Sequence, residues 1–90
     1  MSLDEDRMAA LRQRFVAAAN EHADRIEALL RRGDLEGVRQ VAHGLAGRSG
    51  MFGFVELGET ARCVDEAEGV SVARHAGELL EALRRLAQVG

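Results

Sequence analysis

His43 stands out in this 90-residue chain because small residues surround it: Gly44, Ala46, Gly47 and Gly50 all follow within about two helical turns. Imidazole is both a nucleophile and a proton carrier near neutral pH, so what it can do depends on where it points. With Val38, Leu45 and Ser49 taken as the inward direction of a helix, His43 projects roughly 140° away, toward solvent. Gly47 lies one turn on and Gly50 two turns on along the same ridge, leaving the ring above bare backbone that a partner could approach closely. Four glycines, at 44, 47, 50 and 53, recur at every third position, and each interior one costs about 1 kcal/mol of helix stability relative to alanine. Gly44 and Gly53 are accounted for by close helix packing or by a helix stop. Gly47 and Gly50 are accounted for by access to His43, with Ala46 bordering the clearing.

Arg39 and Gln40 precede the histidine by four and three residues and reach the same face. A phosphoryl group carried on the ring would present anionic oxygens, which the Arg39 guanidinium could pair by charge-assisted hydrogen bonds. Arg39 reads equally as an ordinary solvated arginine. Arg48 projects away from His43 and reads as a surface or interhelix charge.

The remaining candidates are bland. No two of His22, His43 and His75 have the three- or four-residue spacing of a helical metal site, and no HExxH pattern occurs, so no metal is expected. His22 reads as a partly buried packing residue, His75 as an exposed one, and Cys63 as a small packing residue without an intramolecular disulfide partner. The glycines fall inside a helix and are not followed by the lysine of a phosphate-binding loop, so no nucleotide or other cofactor is expected on this chain. A net charge of −3 argues against nucleic acid, which requires a basic stripe to displace counterions. No run is long and apolar enough for a membrane span or a signal peptide, and the single cysteine suits a reducing cytoplasm.

The elements that must position His43 are helices. With 47% apolar residues, 30% charged residues and no proline, the composition describes one small domain over residues 1–90, either a whole protein or a part of a longer kinase. Met8, Leu11, Phe15, Ala18, His22, Ile26 and Leu29 form one apolar stripe on a long first helix. Ser2 and Glu5 resemble a capping box at its start, and Arg31, Arg32 and Gly33 supply its positive, left-handed end. Asp34 caps a second helix with an inner face of Leu35, Val38, Val41, Ala42, Leu45 and Phe52. After a turn at Gly53, a third helix carries Phe54, Leu57, Ala61, Val64 and Ala67 and ends at Gly69. Ser71 caps a fourth, with Val72, Ala76, Leu79, Leu80, Leu83 and Leu86. Short connections predict an all-α, antiparallel up-down-up-down four-helix bundle, its first helix reaching beyond the others.

The run from His43 through Gly44, Leu45, Ala46, Gly47, Arg48, Ser49, Gly50, Met51, Phe52 and Gly53 to Phe54 resembles the histidine-containing phosphotransfer (HPt) family. It is similar above all to the phosphotransfer domain of chemotaxis histidine kinases, with Leu45, Gly47, Ser49, Gly50, Phe52, Gly53 and Phe54 in register. The resemblance implies that His43 is a phosphoacceptor, and that Gly47 and Gly50 admit the catalytic face of a receiver. It implies a phosphocarrier rather than an enzyme, exchanging phosphoryl groups with response-regulator receiver domains and a histidine kinase catalytic domain. One position departs from the pattern: the family's lysine three residues after the histidine is Ala46 here, and Arg39 could restore part of its field. The family's glutamate on the third helix aligns with Asp65, whose carboxylate would hold the Nδ1 proton and leave Nε2 as the nucleophile. Asp65 reads otherwise as a surface aspartate beside Glu66 and Glu68.

Two other function classes compete. A bundle that has lost the lysine could be a noncatalytic adaptor, binding a receiver or kinase without accepting phosphate. A sensor-kinase dimerisation helix pair also carries a reactive histidine, but it needs a second protomer to complete its core, whereas this chain has enough apolar stripes to close one as a monomer.

Overall fold

The computed structural model describes residues 3–89, and among these there are five helices and no strand. They are α1 (Leu3–Ala17), α2 (Ala19–Arg31), α3 (Leu35–Met51), α4 (Val55–Glu66) and α5 (Ser71–Val89). Where one long first helix is expected, two segments meet at Ala18. The bonds from Ala18 N to Arg14 O and from His22 N to Ala18 O, both 3.0 Å, run through the joint, so it is a local irregularity in one ladder. The apolar stripe also differs in register: Phe15, Ala19, Ala23, Ile26 and Leu29 are buried, while Ala18 and His22 are half-buried and Leu11 is exposed. Ala17, Ala18 and Ala19 are identical side chains, so local sequence does not decide which of them faces inward.

At about 1.5 Å per residue, the 3–31 stretch covers most of the molecule's 47 Å long axis, against 21 and 17 Å across. The first turns of α1 therefore project past the bundle, and Phe15 is the buried residue of that helix. The expected overhang of the first helix is found. The Ser2 half of its proposed capping box lies outside the described residues.

The core runs between α2, α3, α4 and α5, with Ile26, Val38, Leu45, Val64, Leu79 and Leu83 completely buried. Arg84 of α5 clamps α2 from outside: its guanidinium bonds Asp24 at 2.8 Å, the Asn20 side chain at 3.0 Å, and Glu27. These are exposed or partly exposed contacts, worth little individually, but they fix the lateral setting of α2 on α5.

Helix ends follow the residues that can make them. Asp34 Oδ1 accepts the Gly37 amide at 2.9 Å, as expected of the cap of α3. Both ends of α3 adjoin the same C-terminal device. Gly33, at φ +72°, and Gly53, at φ +83°, take the left-handed conformation; Asp34 N bonds Leu29 O at 2.9 Å and Phe54 N bonds Ser49 O at 2.8 Å. That pairing closes the last turns of α2 and α3 and reverses the chain. The end of α4 differs from expectation: the helix stops at Glu66, Ala67 is extended, and left-handed Gly69 redirects the chain two residues later. Ser71 does not cap forward either; its hydroxyl donates back to Glu68 O at 2.6 Å and accepts the Glu68 amide at 3.3 Å.

Phe15, Phe52 and Phe54 tie the α3–α4 turn to α1. Ring centroids lie 5.6 Å apart for Phe15 and Phe52 and 5.7 Å for Phe15 and Phe54, and Arg12 Nε donates to Phe52 O at 3.2 Å. Such aromatic pairs contribute about 0.5–1.5 kcal/mol beyond their buried area. This cluster holds the hairpin on which the His43 face is displayed.

Candidate functional site

α3 and α4 pack more extensively on each other than any other pair of helices, and they run antiparallel. Two contacts set their alignment. At one end, a Cβ built on Gly58 of α4 would lie 3.4 Å from Ser49 Cβ, 3.7 Å from Ala46 O and 3.8 Å from Gly50 N. At the other, His43 Nδ1 meets Asp65 Oδ2 at 2.9 Å. Gly58 is buried, so its missing side chain brings the α4 backbone against α3 and carries Asp65, two turns on, into reach of the imidazole.

The His43 side chain is 78% exposed and that of Asp65 32% exposed. Asp65 engages the Nδ1 edge, so Nε2 faces away from the carboxylate. A carboxylate accepting the Nδ1 proton fixes the tautomer in which Nε2 keeps its lone pair. The expected partnership of His43 and Asp65 is present as geometry. Asp65 is correspondingly less exposed than the surface alternative required.

Arg39 sits one turn before His43, with its Nε and Nη1 engaged. Nε donates to the Asp65 main-chain carbonyl at 3.1 Å, and Nη1 pairs with Glu36 at 3.5 Å. It therefore bridges α3 to the last turn of α4 and holds the residue whose carboxylate contacts the imidazole. Glu36, Arg39, Gln40, His43 and Asp65 together line a shallow depression of about 210 Å³. Glu36 was not singled out by its sequence position; its i, i+3 spacing to Arg39 was the available signal.

The glycines separate by environment. A Cβ on Gly47 or on Gly50 would meet nothing within 4 Å, so these residues leave open surface beside the ring. Gly44 does not serve close helix packing, because a Cβ there would meet only the Arg48 guanidinium at 3.7 Å. Gly53 is the helix stop that its spacing allowed. Ala46 is half-buried against the core on the α4 side of the ridge. Arg48 points away from His43, bonding Gly44 O at 3.4 Å and lying 5.9 Å from the Phe15 ring centre.

Gly58 is the structurally decisive residue that sequence reasoning missed. Its signal was a glycine on the inner face of a helix, one turn after Phe54 and three residues before Ala61. Ser49 was correctly placed inward, but its hydroxyl is buried at this contact with no hydrogen-bond partner among the described residues.

The other candidates stand apart from His43. His22 is half-buried with its ring centre 6.1 Å from that of Phe15, and burial, reinforced by the Arg48 charge, lowers its pKa from the ordinary histidine value. His75 is half-buried rather than exposed, with Nδ1 3.7 Å from Glu78. Cys63 is exposed on α4 and is not a packing residue. Among the described residues no group of three or more His, Cys, Asp and Glu side chains could hold a metal ion, and no helix is long and apolar enough to cross a membrane.

A family model described as "Hpt domain" matches residues 10–89. The chain belongs to the Hpt domain family. The match covers all of α2 to α5, including the His43 and Asp65 contact, and the second half of α1. Membership assigns the chain a phosphotransfer function in two-component phosphorelay signalling, in which Hpt domains interact with kinases and receiver domains. Neither the curated proteins nor the solved structures compared with this Hpt chain give a significant match.

Proposed function

We propose that His43 is the phosphoacceptor of this Hpt domain, and that it relays phosphoryl groups between a histidine kinase or a receiver and a further receiver domain. The observation that carries this reading is the 2.9 Å contact from His43 Nδ1 to Asp65 Oδ2 on a ring that is otherwise mostly exposed. Nε2 attacks the phosphorus of an aspartyl phosphate in line. The Nε2–P bond forms, the P–O bond breaks, and its electron pair leaves with the donor's carboxylate. Phosphorylation places positive charge on the ring, which the Asp65 carboxylate offsets while retaining the Nδ1 proton. Arg39 positions Asp65 through its carbonyl and supplies background positive charge. Gln40, Ala46, Gly47 and Gly50 border the surface on which the partner's catalytic face sits.

On this reading the domain is a carrier and not an enzyme, since nucleotide and magnesium belong to its partners' sites. α1 and α2 act as one interrupted helix, so the working architecture of the described residues is an antiparallel four-helix bundle; the chain acts as a single domain, monomeric and cytoplasmic. The arrangement after His43 relates it most to the phosphotransfer domain of chemotaxis kinases. Docking is transient and of modest area, because turnover requires release.

Ala46 supports a second reading. Without the usual lysine, the domain could bind receivers as an adaptor without being phosphorylated. The two are separated by incubating the protein, and His43→Gln, with phosphorylated receivers or with a kinase core and labelled ATP. Acid-labile label on the wild type alone establishes the carrier. Receiver binding without label, across a panel that labels a standard Hpt domain, establishes the adaptor.

A further inference from the structure

The alignment of α3 on α4 also places a residue to which no role has been given. Gly58 lies against Ala46 and Gly50, and Asp65 lies against His43. Arg62 falls between those two points on α4, so it is level with the stretch of α3 between His43 and Ala46. At about 100° per residue it sits on the flank of α4 that bears Gly58 and Asp65, one turn before Asp65, and opposite the flank that meets α5. It is exposed, and among the described residues it forms no hydrogen bond or ion pair, although Glu59 and Glu66 are close in sequence on the same helix.

The other arginines near the face are committed. Arg39 is held by Asp65 O and Glu36, and Arg48 is turned toward Gly44 O and Phe15. The open surface over Gly47 and Gly50 leaves room for a long side chain to cross from α4 toward the ring. An arginine there offers two parallel donors, which suit phosphoryl oxygens.

We propose that Arg62 contacts the phosphoryl group on His43 from α4 and supplies the cation that Ala46 does not. The proposal rests on His43 being the phosphoacceptor. Arg39 then holds Asp65, while Arg62 stabilises the oxygens that gain charge as Nε2 bonds to phosphorus.

The test uses two donors: an aspartyl-phosphorylated receiver, and potassium phosphoramidate, which needs no protein docking. With the latter, the Nε2–P bond forms as the donor's P–N bond breaks and ammonia departs. Labelling rates are compared for the wild type, Arg62→Ala, Arg62→Lys, and Arg62→Ala combined with Ala46→Lys, with His43→Gln as the blank. Arg62→Ala is expected to slow labelling from both donors roughly three- to tenfold. Arg62→Lys should recover most of the rate, and so should Ala46→Lys when added to Arg62→Ala. Phosphorus NMR gives a readout independent of rate: the last ionisation of the phosphoryl group should move to higher pH in Arg62→Ala and return in Arg62→Lys. Normal rates from phosphoramidate with an unmoved phosphorus titration in Arg62→Ala would overturn the role of Arg62 while leaving His43 as the acceptor. Absence of label from wild-type His43 would overturn both.

Discussion

Asp65 Oδ2 and His43 Nδ1 lie 2.9 Å apart across two helices, and the same aspartate's main-chain carbonyl takes the Nε hydrogen of Arg39 at 3.1 Å. One residue thus contacts the imidazole with its side chain and is itself held by its backbone. Because Arg39 and His43 are one turn apart on α3, the imidazole, the carboxylate and the guanidinium are linked in one contact chain. A disturbance of the last turn of α4 should therefore reach the histidine without touching it.

Replacing Asp65 with asparagine preserves size and leaves an oxygen that can still accept a hydrogen bond from Nδ1–H, but it removes the charge that offsets a phosphorylated ring. Transfer to His43 should fall by roughly ten- to hundredfold, with stability nearly unchanged. Asp65→Ala should fall further, because the ring orientation is lost as well. Single-turnover transfer from a phosphorylated receiver, alongside urea unfolding, measures both effects.

Gly47 and Gly50 face open space, so alanine at either position should stabilise the fold by about 1 kcal/mol through helix propensity. A long side chain, as in Gly50→Gln, should leave the fold intact yet weaken receiver docking and slow transfer. Gly58→Leu should behave in the opposite manner: overpacking the α3–α4 contact, it should cost about 1–3 kcal/mol and separate His43 from Asp65. Comparing unfolding midpoints with transfer rates distinguishes the two kinds of glycine. If Gly50→Gln transferred at the wild-type rate, access would not be the reason for glycine there.

Much of this division was legible before the fold. The stop at Gly53, the cap at Asp34, the outward His43 and the inward Ser49 all follow from local chemistry, which the helix resolves the same way in any bundle. Asp65 could be paired with His43 only through its register in a known family, because helical periodicity does not say which residues of two helices become level. Gly58 was missed for that reason: its importance lies in what it permits on α3. The Ala17, Ala18 and Ala19 run hid the joint between α1 and α2, since three equal side chains leave the inward face to tertiary packing. His75 was misplaced because it sits near the edge of its helix's apolar stripe, where the neighbouring helix decides exposure; Cys63 lies on the outer face of α4 with Glu56 and Glu59, which the helical period already indicated.

His22 gives the fold a pH dependence separate from the site. Its pKa is lowered by burial first and by Arg48 second, so the folded state disfavours the protonated ring. The unfolded chain takes up this proton near the ordinary histidine value of about 6.5. The stability contributed by neutral His22 is therefore complete above that value and is lost as pH falls through the lowered, folded-state pKa. Denaturation at pH values on either side of this window should show a smaller acid loss in His22→Gln than in the wild type. Equal losses would remove His22 as the source.

Ser49 carries a buried hydroxyl without a partner, at the point where α3 meets Gly58. Ser49→Ala removes the unsatisfied group without adding volume, so it should be neutral or stabilise by about 1 kcal/mol in thermal or urea unfolding. A clear destabilisation would mean that the hydroxyl has a partner in solution.

The most direct measurement is the position of the phosphoryl group itself, obtained by phosphorus NMR and peptide mass spectrometry after reaction with a phosphorylated receiver. One phosphohistidine is expected, on His43, bonded through Nε2 and absent from His43→Gln. Phosphate on His22 or His75, attachment through Nδ1, or a wild-type protein that binds receivers and stays unlabelled would contradict it.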